Sequence, residues 1–172
     1  GVGSNPLMAT IGRRAPVIAE RGYHIEGEDL GWGDLPPIAF EDRSLIAVKL
    51  GDRMRATSFV EFAAFGSPPD PRKWTRLERH VRELGLPMGE PRARWMGARP
   101  TLPDYLPAIG VDDDAKNLIY AFGHQHLGLT LAATTGEIVA GLAASARPRL
   151  DLTPFDLGRF NGRATNNQVK RP

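Results

Sequence analysis

The chain of 172 residues contains no cysteine, which removes disulfides, thiolate metal sites and cysteine nucleophiles together and fits a reducing compartment. No apolar run approaches the ~18 residues of a membrane span, and the first residues do not read as a basic-then-apolar leader. Charge of one sign is also scarce. The 22 basic and 20 acidic residues leave a formal net charge of +2, and because both signs are scattered, neither a nucleic acid nor an acidic membrane is implied as a partner. There is no internal repeat and no low-complexity tract. Gly1-Val-Gly-Ser4 is not a nucleotide-binding fingerprint: no strand precedes it, the glycine spacing is wrong and no βαβ unit follows. What the chain does have is 15 prolines and 19 glycines, spread along its length, as suits strands joined by turns and long loops.

At this length one domain with a real core is expected. Val17–Ile25, Ile38–Phe40, Leu45–Leu50 and Met54–Phe65 read as strands, rich in β-branched and aromatic residues and separated by polar turns. Short turns between successive strands imply an antiparallel sheet. Asp70 followed by Pro71 is an N-cap and first-turn pair, Trp74, Leu77, Val81 and Leu84 recur at helical spacing, and Gly85 stops the helix. On this reading His80 is a solvated surface residue. Arg92–Met96 is a strand leading into a proline-framed segment that carries Arg99. The apolar run Asn117–Phe122 ends in Gly123-His-Gln-His-Leu-Gly128, and a Gly/Ala-rich helix is expected from about Leu127 to Ala146. The fold class is α+β: a mainly antiparallel sheet, a crossing helix and a Gly/Ala-rich helix near the C-terminus. Asn161–Pro172 is a polar tail.

Two segments carry a resemblance. Gly97-Ala-Arg99-Pro100, Asp104, Pro107 and Ile109-Gly110, followed by Gly123-His124, Gly128, Ala132 and Thr135-Gly136, resemble the C-terminal half of the FAD-dependent D-amino-acid oxidase superfamily. Within it the chain is most similar to bacterial D-amino-acid and D-hydroxyproline dehydrogenases. Arg21-Gly-Tyr-His24, Asp151–Phe155 and Arg159-Phe160 extend the likeness from about Ser4 to Phe160. The resemblance implies that residues 1–160 are the substrate domain of a flavin amino-acid oxidoreductase, with residues 1–12 the link to a flavin-binding domain. It implies a chain that begins inside a larger protein, and FAD bound only in the complete enzyme. The implied reaction oxidises the C–N bond of a D-amino acid, D-proline or D-hydroxyproline by preference, with hydride passing to flavin. The fragment alone is expected to be inactive. A cytoplasmic location is expected, with peripheral attachment to the inner membrane and a homodimer left open. A competing reading is a cofactor-less module that binds a carboxylate or a partner protein.

A guanidinium can hold a planar carboxylate by two parallel hydrogen bonds, so Arg99 is either the substrate-carboxylate ligand, as the resemblance implies, or a surface ion-pair partner. Gly123 and Gly128 bracket a turn where backbone approaches closely. The resemblance sets Gly123, His124, Gly128, Leu129 and Thr130 beside the flavin. It sets His126 at a second substrate-contacting position. Tyr23, His24 and Met54 are candidate substrate contacts on the sheet, beside Arg55 and Thr57, against the plainer reading of sheet packing. His124 is read as orienting the turn, and Asp104 as ordering its own loop. Histidines His124, His126 and His24 without paired carboxylates make a poor ligand set, so no metal is expected.

Overall fold

The computed structural model describes residues 1–64 and 66–160; the polar tail lies outside the described residues. Where length suggests one domain, the chain divides into two compact units. Unit 2 is Glu20–Ala98, and unit 1 is Gly1–Ala19 together with the described residues from Arg99 onward.

Unit 2 is built on a five-stranded sheet of order β2-β3-β4-β1-β5. The strands are β1 (Ile18–Glu28), β2 (Ile38–Phe40), β3 (Leu45–Leu50), β4 (Arg53–Ala63) and β5 (Ala93–Thr101). β2, β3 and β4 pair antiparallel in sequence, with Leu45 opposite Ser58 and Leu50 opposite Arg53. The hairpin turns at Gly51, whose φ of 66° is open to glycine at no steric cost. Alternation puts Tyr23 and Ile25 of β1, Leu45 and Ala47 of β3, and Met54 and Ala56 of β4 into one core. Phe59 breaks the period with a φ of 72°. This residue in the left-handed region re-aims the strand, so that Phe59 packs on the core and Glu61 reaches the Tyr23 hydroxyl.

The core is covered by α2 (Pro71–Glu83). Asp70 accepts the Arg72 N–H at 3.0 Å, with Pro71 in the first turn. At the other end Leu86 N–H donates to Val81 O and Gly85 N–H to Arg82 O, both at 3.1 Å, the paired bonds of a Schellman stop with glycine in the left-handed position. Leu77 and Val81 are buried, each contributing about 1.5–3 kcal/mol by area. His80 is buried beside them, 6% exposed. The expectation of a solvated His80 is therefore corrected: it lies three residues after Leu77, on the apolar stripe.

Unit 1 is smaller in regular structure. α1 (Ser4–Ala9) sets Met8 into a core with Ala15, Leu102, Ala108, Tyr120, Phe122 and Leu157. β6 (Ala108–Val111) and β7 (Ile119–Phe122) form an antiparallel hairpin. Its loop is closed by Asp112, which accepts the Asp114 and Ala115 N–H groups and an arginine fork, Arg13 Nε at 2.5 Å and Nη2 at 2.7 Å. The Arg13 hydrogen bond holds the Asp112 carboxyl well below the usual range despite burial. α3 (Ala132–Ala143) follows β7. It starts five residues later than the sequence suggests, because Leu127–Leu131 form turns. The architecture is α+β with mostly antiparallel strands, and among the described residues no helix is long and apolar enough to cross a membrane.

Candidate functional site

In unit 1 the chain from β7 into α3 is pinned at several points. Gly123 has a φ of 87°, and a Cβ there would come within 2.5 Å of Leu102 Cδ1, so both conformation and packing demand glycine. The next residues fold back on β5. Gln125 N–H donates to Pro100 O at 3.3 Å, and its side-chain amide donates to Tyr105 O at 2.6 Å. The turn is thus hydrogen-bonded to the residue that follows Arg99. Arg99 itself is half-buried and sits within β5, so regular strand holds it rather than the proline-framed loop expected from sequence.

His124 Nε2 lies 3.0 Å from Thr135 Oγ1 of α3, and burial lowers its pKa. His126 is exposed on the same turn. Gly128 differs from Gly123, since a Cβ there would make only an ordinary 3.7 Å contact with His124 Cβ, and nothing in unit 1 requires glycine at 128. The N–H groups of Gly128, Leu129 and Thr130 find no acceptor among the described residues, and α3 has no side-chain cap. Such a turn, ahead of a helix N-terminus, fits a carbonyl oxygen or partial negative charge. Asp104 orders its loop by accepting the Leu106 N–H at 3.1 Å. It also pairs with Arg159 at 2.7 Å, a bond that brings the two motifs Asp104–Gly110 and Arg159-Phe160 together.

In unit 2 the sequence-predicted residues divide by strand face. Tyr23 and Met54 are fully buried, so their expected contact with substrate is corrected: they have no surface to present, and both pack in the core. The Tyr23 hydroxyl donates to Glu61 at 2.7 Å and accepts the Asp70 N–H at 3.1 Å. Burial alone would push Glu61 up, but the bonds from Tyr23 and Arg21 bring its carboxyl below the ordinary value. His24 points to the opposite face. Its ring stacks on Trp95 with centroids 4.9 Å apart and planes 17° apart, and Nε2 lies 3.6 Å from Glu26 Oε1. Burial first and the Arg55 charge second lower the His24 pKa, against Glu26. Buried Glu26 accepts from Arg55 Nε and from Arg53 Nη1, each at 2.7 Å. Sequence reasoning passed over Trp95, Glu26 and Arg53. The available signal was the spacing Trp95-x-Gly97, which leaves a strand face bare beside an indole.

A cavity of about 920 Å³ in unit 1 lies apart from this turn, between β6 and residues 147–153, with Ile109, Leu142, Leu150, Arg147 and Arg149 among its walls. It contains none of the sequence-predicted site residues.

Comparison with known proteins adds the context. The family model of FAD dependent oxidoreductases matches residues 1–142. The chain is similar to a D-amino-acid oxidase of Bradyrhizobium diazoefficiens, 34% identical over 165 residues that make up 93% of this chain and 39% of the relative. It is also 34% identical over 159 residues to a D-amino acid dehydrogenase 2 of Mesorhizobium japonicum, covering 87% of this chain and 38% of that protein. Among solved structures, glycine oxidase from Geobacillus kaustophilus superposes with a TM-score of 0.75 at 24% identity, over 92% of this chain and 44% of that one. L-proline dehydrogenase from P. horikoshii gives 0.75 at 18% identity, over 94% and 45%. The structural likenesses establish the fold. The chain spans about two-fifths of the length of the curated relatives it matches.

Proposed function

Because the chain belongs to the FAD-dependent oxidoreductase family, we propose that it is the part of an amino-acid oxidoreductase that grips the substrate carboxylate and meets one edge of the flavin. The observation that carries this reading is the 123–130 turn, bonded to the carbonyl beside Arg99 and presenting three unengaged N–H groups. Arg99 takes the carboxylate in a two-pronged grip, and His126 is a second group turned to the substrate. Gly123 and His124 fix the turn, and Gly128, Leu129 and Thr130 offer their N–H groups to the ring edge. A flavin, when bound, supplies the two-electron acceptor for oxidation of the Cα–N bond. The chain's own contribution is binding and alignment, and no side chain is assigned as acid or base.

The substrates are D-amino acids, with D-proline and D-hydroxyproline preferred on the strength of the Gly-His-x-His-Leu-Gly turn. The chain by itself is inactive, and a flavin-binding polypeptide completes it against the exposed face of α3. In the complete flavoenzyme Arg99→Ala raises KM for D-amino acids roughly a hundredfold, the loss of about 3 kcal/mol from a charge-assisted pair. An unchanged KM removes Arg99 from the substrate site. Steady-state assays of D-proline against L-proline and D-alanine test the substrate assignment, and equal turnover of the two proline enantiomers overturns it.

A further inference from the structure

The face of the unit 2 sheet that looks away from α2 carries a group of side chains that packing alone does not account for. Trp95 is 55% exposed, an unusual position for an indole in a strand. It is nonetheless held. One neighbour is the His24 ring stacked on it, and its six-membered ring lies over Gly97, where a Cβ would sit 1.8 Å from Trp95 Cη2. The indole is thus a fixed flat surface, made possible by a missing side chain two residues along the strand.

Beside it, charge is set with equal care. Glu26 is the buried centre of the group, 6% exposed. Its Oε1 accepts from Arg55 Nε at 2.7 Å and pairs with Arg55 Nη2 at 2.5 Å, while Oε2 takes Arg53 Nη1 at 2.7 Å. One carboxylate therefore faces two guanidinium groups; Arg53 also lies 4.0 Å from Asp52, while Glu26 is the carboxylate paired with Arg55. A guanidinium gripped through Nε and Nη2 still has its Nη1 amino group to offer, and no acceptor for it lies among the described residues. Arg55 is partly exposed.

We propose that unit 2 holds a ligand site of its own on this face, for a small planar carboxylate: Trp95 supplies the stacking surface, Arg55 takes the carboxylate, and Glu26 is the positioning residue that fixes Arg55. Stacking on a preset indole and a charge-assisted bond to a preset guanidinium each lose little freedom on binding. The two together select for a ligand that is both flat and anionic.

The test is direct binding to the chain labelled with 5-fluorotryptophan, followed by fluorine NMR, with the Trp95 signal assigned by its loss in Trp95→Phe. The probe is 2-naphthoate, with 2-naphthamide as its uncharged twin. The expected result is a saturable shift of the Trp95 signal by 2-naphthoate, and binding at least about fivefold weaker for 2-naphthamide. Arg55→Met abolishes the saturable shift, and Arg55→Lys, which keeps the charge and loses the planar fork, weakens binding about fivefold. Glu26→Gln weakens it by a similar factor. Gly97→Ala displaces the indole and removes it, while the Trp32 and Trp74 signals report that the fold is kept. Arg99→Ala leaves binding unchanged, so this outcome is independent of the substrate assignment to Arg99. Equal binding of the amide, full binding by Arg55→Lys and Arg55→Met alike, or loss of binding in Arg99→Ala overturns the proposal.

Discussion

The two longer helices teach opposite lessons. α2 has 13 residues and α3 has 12, yet α2 buries Leu77, His80 and Val81 while α3 buries nothing. α2 is capped at both ends and shows a charged outer face. α3 has a single charged residue, Glu137, and no side-chain cap. An apolar helix is ordinarily a buried helix. α2 is therefore finished within its own unit, whereas α3 is a helix whose cover is not supplied by the described residues. The chain spans about two-fifths of its relatives' length.

The largest effect expected from this contrast is in the cores. Leu77→Ala, at a site with no exposure, destabilises unit 2 by about 3 kcal/mol. Leu129→Ala, 92% exposed, changes stability by less than about 0.5 kcal/mol. Urea titrations of the two variants measure this, and comparable losses would break the distinction between a covered helix and the uncovered turn that leads into α3. The glycines sharpen it at the next level down. Gly123→Ala costs about 2 kcal/mol, from the left-handed backbone and the displaced Leu102 side chain. Gly51→Ala, with a similar φ of 66° and open space around it, costs only about 1 kcal/mol.

Much of unit 2 was legible because its signals are local. Asp70, Pro71 and Gly85 mark a helix by chemistry confined to a few residues, and each does in space what its position suggests. The burial of His80 was also readable, since Leu77, His80, Val81 and Leu84 share one stripe at spacings of three, four and seven. The solvated reading followed residue type instead of position. Tyr23 is similar: Arg21, Tyr23 and Ile25 alternate on the core face, so a candidate contact was a core residue. Other features had no local trace. Nothing in Ser58-Phe59-Val60 announces a left-handed phenylalanine, and Arg13 meets Asp112 across 99 positions. Of the candidate site, the 123–130 turn was legible through its glycines, while the Glu26–Arg55–Trp95 group depends on pairing between strands distant in sequence.

Hydroxyls in the two cores come next. Tyr23→Phe removes a donor to Glu61 and an acceptor for the Asp70 N–H, costing unit 2 about 1.5 kcal/mol. Tyr120→Phe removes only the acceptor for the Leu157 N–H, at 3.0 Å, and costs unit 1 about 1 kcal/mol. Denaturant midpoints that reverse this order would mean that Glu61 finds another donor once Tyr23 is gone.

The smallest effect is a pH slope, and it also separates the units. His80 is faced by Arg43, whose Nη1 lies 3.0 Å from Nδ1, and by Arg76, whose Nε donates to Nε2 at 3.3 Å. Arg79 and Glu83 of α2 complete its charged surroundings, and Arg43 also pairs with Glu83. Burial first, then Arg43 and Arg76, lower the His80 pKa below the ordinary 6.5. The unfolded chain therefore takes up this proton before the folded one does as pH falls. The stability contributed by neutral His80 is full above pH 6.5 and declines from there down to its depressed folded value. In unit 1 the lowered carboxyl of Asp112 works in a more acid window: its contribution holds above the ordinary carboxylate value of 3.8 and is lost only below it. His80→Gln is expected to flatten the decline that sets in below pH 6.5 while leaving the acid limb governed by Asp112 in place. If chemical denaturation at stepped pH shows the same slope with and without His80, the imidazole is not held neutral by burial and its arginines.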